Sequence, residues 1–176
     1  MNVTLVSAVK DFFGRYANFN GRSTRAQFWW VQLAIFLLCL VYAVGLCVIS
    51  IMAATASPDS PVFIFILMGG NLLFMLVALA LIIPLLSLQV RRLHDIGRSG
   101  WWVALFYGFS TICNIVLQVI NLNYRGRLFS HPEALVPLGA LLLVALGIGI
   151  WNLVWMCTPS APDNEYGPNP QWGIDN

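Results

Sequence analysis

The residues best able to do chemistry lie together in one short segment, Arg91 to Trp102, with the sequence RRLHDIGRSGWW. Three arginines, a histidine and an aspartate fall within its first eight residues, in a chain in which only 9% of residues are charged. Arginine forks match the geometry of phosphate and carboxylate groups, and a neighbouring histidine can donate to the same anion. The segment therefore predicts either an anion-binding site or a set of charges that satisfy one another.

Catalysis has less support in these residues. His94 beside Asp95 has the order of a general base and its orienting group, but the sequence offers no nucleophile in a defined relation to them. Phosphate-binding loops, paired carboxylates and zinc-protease motifs are absent from the sequence. The four cysteines lie in or at the end of apolar runs and none forms C-x-x-C, as expected of small buried side chains. We therefore predict a protein that is not an enzyme, with no catalytic residue, cofactor or metal site.

The elements that position this segment are predicted from composition. Hydrophobic residues make up 59% of the 176 positions, far more than one soluble core of that size would use. Acidic and basic residues are absent from four windows, each longer than the roughly 20 residues that cross a bilayer as a helix. We predict an all-α membrane protein with four transmembrane helices in a bundle, near residues 28–54, 62–90, 101–122 and 135–157. A cleaved signal peptide is the rival for the first window, but the segment before it is too long.

The polar remainder is too short for a second core, so we predict one integral membrane domain over residues 1–176. Residues 1–27 form a cytoplasmic segment in which Leu5, Val9 and Phe12 recur at helical spacing, as in an amphipathic helix at the membrane interface that ends near Gly14. Residues 158–176 form a tail. Gly97 is the expected stop of the second transmembrane helix.

Orientation follows from the basic residues near the ends of the spans. Seven of them fall on one side and two on the other: Lys10, Arg15, Arg22, Arg25, Arg91, Arg92 and Arg98 against Arg125 and Arg127. Both termini and the Arg91–Trp102 hairpin are therefore predicted to be cytoplasmic. Tryptophans are expected to anchor the helix ends at headgroup level, namely Trp29, Trp30, Trp101 and Trp102.

Three motifs carry a family resemblance. RYANFNGRSTRAQFWW, RRLHDIGRSGWW and NEYGPNP occur in this order with hydrophobic runs between them. They resemble the family catalogued as domain of unknown function 805, the YhaH-like bacterial inner-membrane proteins, over nearly the whole chain. One departure is visible, because residues 159–163 stand where the family often has glycines ahead of Asn-x-Tyr-Gly. The resemblance implies a four-helix protein of the bacterial inner membrane and carries no assigned activity.

The cytoplasmic polar segments are expected to meet, with the acidic tail lying along a basic surface. The candidate site for an anionic lipid or a partner consists of Arg15, Arg22, Arg25, Arg91, Arg92, His94, Asp95 and Arg98, with tail contacts from Asn164, Tyr166 and Gly167. The simpler interpretation is that the arginines only satisfy the positive-inside rule and that Asp95 pairs with one of them. Expected partners are membrane lipids, and a second copy or another membrane protein, but not nucleic acid.

The alternative function is a small-solute transporter or channel subunit that acts as an oligomer. Ion-coupled carriers place ionisable residues inside the membrane, whereas these spans offer only Gln32, Asn71, Ser87, Asn114, Gln118 and Asn152. Amides in a span more often hydrogen-bond a neighbouring helix. Substitution of Asn71 by leucine should change flux if the alternative holds.

Overall fold

The protein is all-α in the part of the chain that the structure, a computed structural model, describes: residues 3–56, 61–123 and 132–170. Five helices follow one another within these residues. They are α1 (Leu5–Gly14), α2 (Arg25–Ala56), α3 (Pro61–Asp95), α4 (Trp101–Asn123) and α5 (Pro132–Cys157).

The first helix is short and amphipathic, as the sequence predicts. Thr4 and Ser7 form a capping box, in which each side-chain oxygen accepts a hydrogen bond from the other residue's backbone N–H. Ala8 and Phe12 are buried, whereas Lys10 is exposed. The helix therefore has one apolar face and ends at Gly14, where the sequence indicated.

The four following helices are long and apolar enough to cross a membrane. They have 32, 35, 23 and 26 residues, against the roughly 20 that a bilayer requires. This confirms the predicted all-α membrane fold class. The second long helix continues past the predicted end of its membrane span near residue 90 and ends at Asp95, just before the stop predicted at Gly97. Arg91, Arg92 and Asp95 in its last turns are buried in the protein.

The end of α3 is a Schellman motif built on a glycine. Gly97 has a φ of +71°, its N–H donates to the carbonyl of His94, and the N–H of Arg98 donates to the carbonyl of Leu93 over 2.8 Å. Residues with a Cβ rarely adopt this conformation. Gly97 is therefore the helix stop that the sequence predicted.

The chain divides into two compact units, whose boundary along α3 follows Leu88. Unit 1 comprises Met1–Asn20 and Ala26–Leu88, and unit 2 comprises Gly21–Arg25 and Gln89–Asn176. The predicted single domain over residues 1–176 stays a prediction.

Unit 1 contains a hydrogen-bonded pair within its apolar helices. The hydroxyl of Tyr42 on α2 donates to Oδ1 of Asn71 on α3 over 2.7 Å, and the Asn71 amide donates to the carbonyl of Leu67 over 2.8 Å. The Tyr42 ring stacks on Phe74 with centroids 3.9 Å apart. Asn71 thus joins two helices, the common role of an amide in a span.

In unit 2, α4 and α5 pack together through a cluster of large aromatic rings. Trp155 contacts Trp102 edge to face, with centroids 5.1 Å apart, and contacts Trp151 at 5.2 Å. Phe106 lies 5.7 Å from Trp155. Such pairs contribute about 0.5–1.5 kcal/mol each beyond the area they bury, so the cluster fixes the helix ends next to the Arg91–Trp102 hairpin.

Candidate functional site

Asp95, the last residue of α3, is the centre of a buried ion-pair network. Its side chain is fully buried. Oδ1 accepts a hydrogen bond from Nε of Arg22 over 3.1 Å, and Oδ2 accepts from Nη1 of Arg92 and from the Ser160 hydroxyl over 2.6 Å. A buried carboxylate is tolerated only when it is paired and hydrogen-bonded in this way. We call Arg22, Arg92, Asp95 and Ser160 the Asp95 network.

Arg22 uses all of its hydrogen-bonding capacity inside the protein. A guanidinium group has five N–H donors. Besides Nε, which donates to the Asp95 carboxylate, Nη1 and Nη2 donate to four carbonyl oxygens, those of Asp95, Ala161, Pro162 and Gly167. Arg22 therefore ties the end of α3 to the segment that follows α5.

Arg92 donates hydrogen bonds to backbone carbonyls at the carboxyl end of α5. Its Nε and Nη2 each lie 3.3 Å from the carbonyl oxygen of Met156, and Nη2 also donates to the carbonyl of Thr158. The last carbonyls of a helix have no partner within the helix and carry its partial negative charge. Arg25 makes a longer contact, 3.5 Å from Nη1 to the carbonyl of Cys157. A buried guanidinium thus caps α5 and pairs with Asp95 at the same time.

The tail folds into a tight turn from Asn164 to Gly167. The two residues exchange backbone hydrogen bonds, and Gly167 has a φ of +125°, which favours glycine. The Asn164 side chain accepts from the N–H of Tyr166 and donates to the carbonyl of His94, both over 2.9 Å. A hydrogen bond to Glu165 raises the pKa of the Tyr166 phenol above its ordinary value.

His94 is held on its ring face and at its Nδ1 atom. The imidazole stacks on Tyr166 with centroids 3.8 Å apart and planes 3° from parallel. Nδ1 lies 3.3 Å from the carbonyl of Gly21, and because a carbonyl only accepts, Nδ1 is assigned the proton. A Cβ at Gly100 would lie 3.4 Å from Nε2 of His94 and 2.7 Å from Cγ1 of Val90. A side chain at position 100 would therefore require Val90 or the backbone to move.

The predicted site residues differ in exposure. Arg22, Arg91, Arg92 and Asp95 are buried, His94 is half-buried, and Arg15, Arg25 and Arg98 are exposed. Unit 2 brings Arg22, Arg92, His94 and Asp95 together with the predicted tail contacts Asn164, Tyr166 and Gly167. Arg15 belongs to unit 1, where it pairs with Asp11 at 2.8 Å.

The tryptophans predicted as interfacial anchors also differ from one another. Trp101 is 79% exposed, and Trp29 and Trp30 are exposed as well. The Trp30 indole donates to the carbonyl of Val3 over 3.0 Å. Trp102 is half-buried in the aromatic cluster, so it packs against helices within the protein.

The sequence missed how the tail is held. An acidic strap on a basic surface would use Asp163 and Glu165, whereas the contacts of Arg22 and Arg92 with the tail go to backbone carbonyls. Ser160 was missed too. Proline at positions 159 and 162 was the available signal, since it favours an extended backbone whose carbonyls are free to accept. Asp175 in the tail and Arg125 and Arg127 in the predicted opposite loop lie outside the described residues.

A second polar feature of unit 2 is a cavity of about 360 Å³ lined by residues of α3, α4 and α5. Its hydrogen-bonding side chains are uncharged: Gln89, Tyr107, Ser110, Asn114 and Asn152. Sequence analysis identified Asn114 and Asn152 as polar residues within spans but gave no indication that they share a cavity with Gln89.

Comparison with known proteins places these motifs in a family. The family model described as "Protein of unknown function (DUF805)" matches residues 16–168, which include every residue of the Asp95 network. Two Escherichia coli proteins named "Inner membrane protein YhaI", from strains K12 and O157:H7, are each 32% identical to the chain over 92 residues. The alignment covers 52% of this chain and 64% of those relatives, slightly under two thirds of their length. No solved structure matches the chain. The chain belongs to the DUF805 family.

Proposed function

We propose that this chain is a multi-pass protein of the bacterial inner membrane with a structural or interaction role and no enzymatic activity. Four helices are long and apolar enough to cross a membrane, and the relatives it resembles are named inner membrane proteins. The distribution of arginine and lysine supports cytoplasmic N and C termini. In this proposal the Asp95 network is a scaffold, and exposed arginines of unit 2 contact anionic lipid.

The observation that carries the scaffold role is the closure of the Asp95 network. Arg22 donates all of its N–H groups to protein acceptors. Arg92 donates to the Asp95 carboxylate and to carbonyl oxygens at the end of α5. A phosphate at either guanidinium would have to displace these hydrogen bonds and leave the Asp95 carboxylate uncompensated in a buried position. Such a loss costs about 3–5 kcal/mol, so these two arginines are better suited to holding the fold than to binding an anion.

The lipid contact in this proposal uses Arg25 and Arg98. Both are exposed, and both lie at the carboxyl end of α5. The Arg98 guanidinium is 5.0 Å from the centroid of the Trp155 ring, and Arg25 reaches the carbonyl of Cys157. An arginine near the surface of an anionic membrane contributes about 1 kcal/mol of attraction. Exposed Trp101 lies three residues after Arg98, as expected at headgroup level.

Native mass spectrometry of the protein extracted in its own lipids tests this contact. The double variant Arg25→Ala/Arg98→Ala should lose retained phosphatidylglycerol or cardiolipin while its melting temperature stays near wild type. Arg125→Ala/Arg127→Ala is the matched control, because it removes the same two charges from the loop predicted on the opposite side. Equal lipid retention by the double variant, the control and the wild type would contradict the proposed lipid contact.

Topology reporters test the proposed orientation. A fluorescent protein fused after Asn176 should fold and fluoresce in the cytoplasm, whereas alkaline phosphatase fused at the same position should be inactive. The same pair of reporters inserted between α4 and α5 should give the opposite result. An active phosphatase after Asn176 would reverse the proposed orientation.

A small-solute transporter or channel subunit acting as an oligomer is the second candidate, and the polar cavity of unit 2 is the observation that favours it. Asn71, the residue the sequence suggested for permeation, gives it less support, because its side chain bonds Tyr42 and Leu67. Glycerol-driven swelling of proteoliposomes tests this function. Flux above that of empty liposomes that falls in Asn152→Leu but not in Asn71→Leu would favour it, and flux equal to that of empty liposomes would exclude it.

A further inference from the structure

We propose that the cavity of unit 2 binds a small uncharged molecule, or the uncharged part of a larger one, that carries hydroxyl or amide groups. The inference concerns side chains outside the Asp95 network, and it holds or fails separately from the scaffold and lipid roles. It names a ligand class and does not require transport.

The cavity has the size and lining of a small-molecule site. Its volume of about 360 Å³ lies at the lower end of the roughly 300–1,000 Å³ that ligand pockets occupy. Aromatic and aliphatic side chains form most of its wall, including Phe106, Phe109 and Leu117. Such sites typically combine an apolar wall with a few polar groups that orient the ligand.

The polar groups of the wall determine the charge of the ligand. Five of the lining side chains carry groups that can form hydrogen bonds, and no arginine, lysine, histidine, aspartate or glutamate lines the cavity. An ion without a counter-charge is expensive to bury in surroundings of low dielectric constant. Amides offer both a donor and an acceptor, and hydroxyls do the same. A neutral polyol or amide would satisfy both kinds of group.

The amide groups of Gln89 and Asn152 are available for hydrogen bonding to a ligand. Within the described residues, the side chains of Gln89 and Asn152 make no hydrogen bond to another residue. In the same part of the chain, the one hydrogen bond of the Asn114 side chain goes to the carbonyl of Ser110 on its own helix, over 2.8 Å. An amide placed in an apolar environment without a partner costs at least about 1–3 kcal/mol, so a ligand or water that pairs with these groups is strongly favoured.

Helix-to-helix bonding, the usual reason for amides in a span, accounts for Asn71 in unit 1 but not for these residues. Asn71 bonds Tyr42 on a different helix. Gln89 and Asn152 come from α3 and α5 and face the same cavity as Asn114 of α4. Three amides from three helices therefore converge on a space that their own chain leaves unfilled.

Cys113 provides a reporter inside the cavity wall. A variant that keeps Cys113 and replaces Cys39, Cys47 and Cys157 with alanine can be exposed in lipid nanodiscs to three symmetrical disulfides of similar size. Exchange of the Cys113 thiolate with bis(2-hydroxyethyl) disulfide, cystamine or diethyl disulfide forms a mixed disulfide and releases the other half of the reagent as a thiol. The group left on the Cys113 sulfur is 2-hydroxyethylthio, 2-ammonioethylthio or ethylthio, so the three adducts differ at their ends by a hydroxyl, an ammonium or a methyl group. A variant that keeps only Cys47, an exposed residue of α2, controls for partitioning of each reagent into lipid.

Intact-protein mass spectrometry measures the ratio of the Cys113 adduct to the Cys47 adduct for each reagent. We expect this ratio to be about tenfold higher for the hydroxyethyl reagent than for either other reagent, equivalent to about 1.4 kcal/mol of preference. A ratio highest for the ethyl group would make the cavity a site for lipid chains. A ratio highest for the ammonium would also overturn the proposal, as would the absence of a Cys113 adduct with every reagent in both nanodiscs and detergent.

Variants test whether the amides provide the preference. Asn152→Leu should remove most of the preference for the hydroxyethyl group, whereas Gln118→Leu should keep it, because Gln118 carries the same amide on α4 without lining the cavity. Equal loss or equal retention in both variants would contradict the proposal.

If the adduct forms in detergent but not in nanodiscs, the occupant is the uncharged polar part of a lipid. Equal formation in both indicates a water-soluble molecule.

Discussion

The Asp95 network and the polar cavity are both polar regions of unit 2, but they meet the demand for hydrogen bonds in opposite ways. In the network, buried charges are matched by the chain itself, through one carboxylate and a set of backbone carbonyls. In the cavity, uncharged amides face a space of about 360 Å³. In so apolar a chain, polar groups that hydrogen-bond other groups of the protein stabilise the fold. Polar groups that lack such a partner are available to hydrogen-bond a ligand.

The sharpest way to break this comparison is Asp95→Asn. The substitution keeps the size of the side chain but leaves the guanidinium groups of Arg22 and Arg92 buried without their counter-charge. We expect the free energy of unfolding to fall by about 3–5 kcal/mol, measured by denaturant unfolding in detergent. Asp11→Asn, which alters a partly exposed ion pair with Arg15, should cost about 0.2–1 kcal/mol. Equal effects of the two substitutions would mean that the network does not hold the fold.

Arg22→Lys should have the next largest effect. Lysine keeps the charge but has three donors on one atom, and it cannot reach the carboxylate and four carbonyls that the guanidinium bonds. A loss of about 2–3 kcal/mol is expected from the hydrogen bonds that are broken. The matched substitution Arg25→Lys is exposed and should leave the denaturation midpoint nearly unchanged. A stable Arg22→Lys protein would show that charge alone is sufficient.

Gly100→Ala tests the close packing beside His94. The new methyl group would lie 2.7 Å from Cγ1 and 3.3 Å from Cγ2 of Val90, so the backbone or the valine must move. Overpacking of this kind costs about 1–3 kcal/mol. Thermal unfolding should show a lowered midpoint, with recovery in the double variant Gly100→Ala/Val90→Ala. Without recovery, the close approach to Val90 is not the cause.

The smallest stability effect is expected on the cavity side, for Asn152→Leu. Its amide has no hydrogen bond to the described part of the protein, so none is lost. The free energy of unfolding should stay within about 0.5 kcal/mol of wild type or rise, while the preference of Cys113 for the hydroxyethyl reagent falls. A loss comparable to that of Asp95→Asn would place this amide among the structural residues and remove the contrast.

The long helices and their ends were predictable because the signals are local. Charge-free windows longer than a bilayer is thick indicate spans wherever they occur, and Gly97 marks the end of α3 by a conformation that glycine favours. The partners of Asp95 depend on contacts across the chain. Arg22 and Arg25 are both arginines of one motif, yet one is buried and the other is exposed.

The tail and the cavity could not be predicted for a related reason. Which carbonyls an arginine bonds is not encoded in residue type, because every residue has a carbonyl. The prolines at 159 and 162 indicate only that the tail is extended. The stack of His94 on Tyr166 joins residues far apart in the sequence. Convergence of Gln89, Asn114 and Asn152 requires the relative rotation of three helices, which depends on packing and not on the composition of any one of them.

Unfolding of Arg92→Ala, with retained lipid counted on the same sample by native mass spectrometry, tests the central claim most directly. The substitution leaves Asp95 and the end of α5 without their shared donor. We predict a free energy of unfolding lower by at least about 3 kcal/mol, with lipid retained by the fraction that stays folded. A variant as stable as wild type that has lost an anionic lipid or another bound ligand would contradict the account, because Arg92 would then be a binding residue.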